Sequence, residues 1–126
     1  LSDPGIARAI MALHRQPQRD WTVELLAGEA AMSRSRFAER FRALVGATPI
    51  GYLTQHRMAL AAEQLEAGLL PPERIAEQAG YESARVFARA FRRWSGMTPR
   101  AWLQREGARR ARMLAYEERA GEAAPG

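Results

Sequence analysis

Apolar positions recur along this 126-residue chain at spacings of three and four, and nowhere alternate over a useful length. That period belongs to helices burying one stripe. Ala, Leu, Arg and Glu dominate while Val, Ile and Thr are scarce, so the pattern predicts an all-α chain. Start and stop signals divide it into seven helices. Asp3-Pro4 sets a capping residue before a proline at the first helical position, and predicts a helix from Pro4 to about Arg15. Its apolar face is Ile6, Ile10, Met11 and Leu13, and Pro17 ends it. Thr22 caps Val23 to Ala30, and Ser33 caps Arg34 to Val45, which stops at Gly46. Thr48-Pro49 opens a long helix to about Ala67, and Pro71-Pro72 a short one ending before Gly80. Ser83 caps a helix to Ser95, and Thr98-Pro99 starts the last, through at least Arg105. Residues 109–118 either prolong that helix or fray, and residues 113–126 are expected to form a frayed or disordered tail.

The pattern repeats. Ser33–Leu53 and Ser83–Leu103 share nine identities in 21 positions at an offset of 50. Upstream, Leu26-Ala27 and Ala30 match Ile75-Ala76 and Ala79 at an offset of 49, so the one-residue slip falls in the turn between paired helices. Two copies are too few for a solenoid. Each copy reads as a short helix, a tight turn and a longer helix, with a small residue, Ala27 or Ala76, where the two helices come close. This is the pattern of a helix-turn-helix. In the longer helices Phe37, Phe41, Leu44 and Val45, and Phe87, Phe91 and Trp94 with Val86 beside them, form the stripes expected to be buried. The corresponding division is 1–56 for the first unit, 57–112 for the second and 113–126 for the tail.

Charge adds direction to this picture. All 19 cations are arginine, set against 14 carboxylates, for a net charge of +5. Residues 1–80 are neutral overall, residues 81–112 carry +7, and the last fourteen carry −2. A basic block of that density suggests a polyanion, nucleic acid first. In the second unit the face opposite the aromatic stripe holds Ala84, Arg85, Ala88, Arg89 and Arg92. Arg85 and Arg89, four apart, stand one above the other in the first half of the helix, and small Ala84 and Ala88 let the helix sink into a groove. Arginine reads guanine O6 and N7 through two parallel hydrogen bonds. In the first unit the same face holds Arg34, Ser35, Ala38, Glu39 and Arg42. Glu39 either accepts from cytosine N4 or pairs with Arg36 or Arg42. Candidate phosphate contacts are Arg36, Arg40, Arg42, Arg92, Arg93 and Arg100, with Ser33, Thr48, Ser83 and Thr98 at helix starts. Each of these arginines equally fits a solvated surface or an ordinary ion pair. Arg57, inside the long helix, fits a structural pairing with Glu63 or Glu77.

These motifs carry a family likeness. The chain resembles the DNA-binding domain of AraC/XylS-type bacterial transcription regulators over roughly residues 3–106. The first set is Trp21-Thr22, Leu26-Ala27, Met32 to Phe37, Phe41, Gly46, Thr48-Pro49, Tyr52-Leu53 and Arg57-Met58 with Ala62 and Leu65. The second is Ile75-Ala76, Gly80-Tyr81, Ser83, Phe87, Phe91 to Arg93, Gly96, Thr98-Pro99 and Trp102. Two departures stand out: Leu103 follows Trp102 where the family favours an arginine after its aromatic, and Glu39 makes the first reading face less basic. The resemblance implies two helix-turn-helix subdomains joined by the long helix, each with its second helix in a major groove of duplex DNA. At ~1.5 Å per residue that helix spans about 27 Å, and successive major grooves lie about 34 Å apart. It also implies a bacterial cytoplasmic protein, contact with RNA polymerase, and a missing N-terminal effector or dimerisation domain. The start at Leu1 instead of Met fits a piece of a longer protein.

Other classes have less support. The lack of cysteine excludes a disulfide scaffold, thiolate metal sites and a cysteine nucleophile. No apolar run approaches a membrane span. His14 and His56 lie on different helices without a carboxylate pair, phosphate-cradling loop or metal spacing, so neither catalysis nor a cofactor is expected. A helical protein-interaction module built on Met113, Leu114 and Tyr116, and a structured-RNA binder using the same basic face, stand as alternatives.

Overall fold

The computed structural model describes residues 3–123. Within them the chain forms α1 (Pro4–Arg15), α2 (Val23–Glu29), α3 (Arg34–Val45), α4 (Pro49–Ala67), α5 (Pro72–Gln78), α6 (Ala84–Ser95) and α7 (Pro99–Ala123), with no strand among them. Local chemistry sets most of the starts. Asp3 Oδ1 accepts from the Gly5 and Ile6 N–H groups at 2.9 and 3.2 Å. Thr22, Ser33, Thr48, Ser83 and Thr98 each accept from the backbone N–H three residues on, satisfying a donor that the first turn leaves open. Pro71 precedes α5 and offers no such bond.

Two cores result, with α4 contributing to both. Ile6, Ala9 and Leu13 of α1, Trp21, Leu26 and Ala27 of the α2 region, and Phe37 and Phe41 of α3 close over Leu53. Met58, Ala61, Ala62 and Leu65, further along α4, gather Ile75, Ala76, Phe87, Ala90 and Phe91. Helix α1 approaches α2 so closely that a Cβ on Gly5 would lie 2.8 Å from the Ala30 carbonyl oxygen. Trp21 Nε1 donates to the Gln16 carbonyl at 2.8 Å, and Trp102 Nε1 to Glu66 Oε1 at 3.2 Å, so both indoles dock with their polar edge paired.

Several apolar positions expected in the core are at the surface. Met11, Leu44 and Trp94 are exposed, and Val45 and Val86 are half-buried. The stripe a helix buries is set by where its neighbours lie: α1, against α2 and α3, buries Ile6, Ala9, Ala12 and Leu13 and leaves Met11 outside. Trp94 lies on the rim, with its ring centroid 5.5 Å from Phe91 and 6.1 Å from Trp102. Where residues 113–126 are expected to fray, α7 remains helical to Ala123. That stretch is rich in Ala, Arg and Glu, and Arg109 pairs with Glu106 at 3.1 Å one turn earlier. Residues 124–126 of the expected tail lie outside the described residues. No helix among the described residues is long and apolar enough to cross a membrane.

Candidate nucleic-acid interface

The second helix of each unit buries its phenylalanines and turns its other side outward. On α6, Arg85, Arg89, Arg92 and Arg93 are exposed and Ala84 and Ala88 half-buried beneath them. No carboxylate among the described residues comes within ion-pair distance of these four arginines. Exposed guanidinium groups without carboxylate partners on one helical face form a strong local positive potential.

The face of α3 is different. Arg34 pairs with Glu24 at 3.3 Å, both side chains exposed. Arg34, Ala38, Glu39, Arg42 and Thr48 line one shallow depression of about 380 Å³, floored by Val23, Pro49 and Ile50. Glu39 is exposed and makes no ion pair with Arg36 or Arg42 among the described residues. Its carboxylate is thus an open acceptor beside Arg34 and Arg42. Ser35 is exposed at the second helical position.

The candidate phosphate contacts separate into groups. Arg36 and Ser33 border a depression with Arg8 on the α1 side. Thr48 and Arg93 lie together along a groove between the start of α4 and the end of α6, with Gln55, Tyr81 and Trp94. Arg100 is exposed near the start of α7. The hydroxyls of Ser33, Thr48, Ser83 and Thr98 already accept from the third backbone N–H of their helices, which leaves the second for an external acceptor. Arg40 is engaged elsewhere: Nη2 and Nε donate to Asp3 Oδ2 at 2.6 and 3.1 Å. That bond, with those from Ile6 and Gly5, holds the Asp3 carboxyl below its ordinary range against the opposing effect of burial. The arginine expected to face a phosphate closes the first unit instead.

Arg57 pairs with neither Glu63 nor Glu77. Its Nε donates to the Pro17 carbonyl at 2.7 Å and Nη2 to the Arg19 carbonyl at 2.6 Å. Burial lowers its pKa, while Asp20 and Tyr81 act the other way. The two histidines are also brought together: the rings of His14 and His56 stack with centroids 4.2 Å apart, and His14 Nε2 shares a hydrogen bond of 2.8 Å with Tyr52 Oη. Burial, then the His14 charge, lowers the pKa of His56, while Glu63 acts the other way. No group of three or more metal-binding side chains occurs among the described residues.

Comparison with known proteins agrees with this arrangement. A helix-turn-helix domain family matches residues 26–105. The chain is 40% identical over 104 residues to the HTH-type transcriptional regulator AlkR of Acinetobacter baylyi, covering 82% of this chain and 34% of AlkR. It is 48% identical over 99 residues to a Streptomyces antibioticus protein named as an AraC-like transcription regulator, covering 79% of this chain and 33% of that protein. The chain thus spans about a third of the length of these curated relatives. Among solved structures, the DNA-binding domain of AdpA, a global transcriptional factor captured with a target DNA, superposes with a TM-score of 0.77 at 33% identity. The match covers 87% of this chain and 98% of that one.

Proposed function

The chain belongs to the helix-turn-helix family of AraC-like transcription regulators, and on that premise we propose that it binds duplex DNA sequence-specifically, with α3 and α6 in successive major grooves. One observation carries the reading: two exposed second helices are mounted on one 19-residue helix, α4, about 28 Å long. The AdpA domain was solved on its target DNA, which supports a duplex as the partner. In unit two, Arg85 and Arg89 read guanine edges, with Ala84 and Ala88 allowing close approach. In unit one, Arg34, Ser35 and Ala38 face the bases, and Glu39 selects cytosine by accepting from N4. Arg36, Arg42, Arg92, Arg93 and Arg100, with the helix starts at Ser33, Thr48, Ser83 and Thr98, hold phosphates; Arg40 is left out because Asp3 occupies it. The two units divide near residue 56, inside α4. For the whole regulator, a cytoplasmic location, contact with RNA polymerase and a separate effector or dimerisation domain belong to the same proposal.

Selection of bound sequences from a random duplex pool, followed by gel shifts over a salt series, tests the reading. Five arginine–phosphate contacts give a log–log salt slope of about −4 to −5, at ~0.9 per phosphate. A flat salt dependence, or preference for folded RNA, would overturn it.

A further inference from the structure

We infer that Arg57 is a positioning residue that fixes the angle between the two reading units, and through it the half-site spacing the protein accepts. The inference rests on the DNA-binding reading above and deepens it. Arg57 emerges from α4 just beyond Leu53, the last buried residue of the first core, and beside Met58, the first of the second. Its guanidinium faces both units. Toward unit one, Nε and Nη2 grip the Pro17 and Arg19 carbonyls of the α1–α2 loop at 2.7 and 2.6 Å. Toward unit two, it covers the α5–α6 turn, where a Cβ added to Gly80 would lie 3.0 Å from Nη1 and 3.4 Å from Cζ.

The repeat supplies an independent sign of that contact. The turn needs a residue with positive φ in each unit: unit one uses Ala31 at φ 56°, unit two Gly80 at φ 87°. An alanine is therefore compatible with the turn itself. What differs is where the arginine on the preceding helix sends its donors. Arg8, the counterpart of Arg57 at the 49-residue offset, donates at 3.4 Å to the Glu29 and Ala30 carbonyls beside its own unit's turn. Arg57 lies against the Gly80 turn and donates across to unit one's Pro17 and Arg19 carbonyls. A planar fork with its donors in fixed directions suits this task, since it ties two carbonyls while its flat face abuts a glycine. Beside it lies a cleft of about 210 Å³ bordered by Gln18, Leu60, Gln64 and Gln78. Little else fills the space between the α1–α2 loop and α5, so losing the guanidinium frees the units to rock about α4.

Two measurements test this separately. The chain has no cysteine, so Ala43→Cys on α3 with Glu77→Cys on α5 accepts a pair of spin labels, read by pulsed dipolar spectroscopy without any DNA. Arg57→Ala should broaden the distance distribution between them. On duplexes, the preference for the optimal spacing over one a base pair longer should fall toward unity, while affinity for isolated half-sites stays unchanged. A distribution as narrow as the parent's overturns the inference, as does unchanged spacing preference or an equal loss on half-sites. If Arg57→Ala does not fold, Arg57→Lys keeps the charge without the fork and is expected to broaden the distribution; a narrow one overturns the inference equally. Failure to bind duplex at all would overturn the functional reading, and the label distances would still judge Arg57.

Discussion

The two units are copies that have been finished differently. Both bury a pair of phenylalanines one turn apart, at 37 and 41 and at 87 and 91, with ring centroids 5.6 Å apart in each case. Around that shared frame the polar groups diverge. Unit one ties two of the four arginines on α3 to carboxylates, Arg40 to Asp3 and Arg34 to Glu24, and leaves Glu39 open. Unit two has buried Ala90 where unit one has Arg40, and leaves Arg85, Arg89, Arg92 and Arg93 without carboxylate partners among the described residues. The total charge of the two longer helices is therefore a poor measure of what each can offer a polyanion. The difference lies in how many guanidinium groups are already occupied. Unit two is the attracting hand, and unit one, with its open carboxylate, the discriminating one.

The largest expected effect tests the shared frame. Phe87→Ala should destabilise unit two by roughly 3–5 kcal/mol through the cavity it leaves. Hydrogen exchange should then show α5 and α6 opening while α1 to α3 remain protected. Equal loss of protection in both units would mean that they unfold as one body.

Next comes the divergence between reading faces. Arg89→Ala should weaken binding to the selected duplex by about 1–3 kcal/mol and relax one base position. Arg34→Ala should cost less, because its guanidinium already has a partner, although an exposed pair of that kind is worth only about 0.2–1 kcal/mol. Equal losses across all sequences would make Arg89 a phosphate contact.

The turns give a smaller contrast. Gly80→Ala should destabilise by about 1–2 kcal/mol, the ordinary penalty for a left-handed alanine, plus whatever shift Arg57 must make. Ala31→Gly relieves the same strain in unit one and should stabilise by less than about 1 kcal/mol. Thermal melts of the two variants should move in opposite directions.

Acid gives the finest test. The bonds to Asp3 lower its folded pKa below the ordinary 3.8. Their contribution is complete above the unfolded value and disappears as pH falls through the folded one. Asp3→Asn keeps a competent cap but loses the ion pair. It should melt earlier than the parent near neutral pH, with the gap closing in acid; a gap independent of pH would assign the effect to the cap alone.

Helix positions were legible in the sequence because their determinants are local. A cap, a proline and a stop lie within a few residues of the boundary they set, and Arg34–Val45, Pro49–Ala67 and Ala84–Ser95 appear as read. Exposure was less legible: Met11 and Leu44 sit on apolar-looking faces, yet only the packing partners decide how wide a stripe is covered. Least legible were the long-range polar contacts. Arg40 reaches Asp3 across 37 residues, Arg57 reaches Pro17 across 40, and His14 meets Tyr52 across 38. Each depends on how α1 and its loop lie against α3 and α4, which no local pattern encodes. The one hint was negative, since an arginine within a helix lacked an obvious carboxylate one turn away.

Helix α4 has a further consequence. Leu53 seals one core and Met58 opens the next, about 7.5 Å apart along the axis at ~1.5 Å per residue. That leaves no flexible tether between the two hands. When one hand is seated on DNA, the other is held near its own half-site at an effective concentration set by a rod, so that avidity arises without a second chain. The same rod makes the gain conditional on phase. Moving one half-site by half a helical turn puts it on the far side of the duplex, and the advantage of having two hands vanishes.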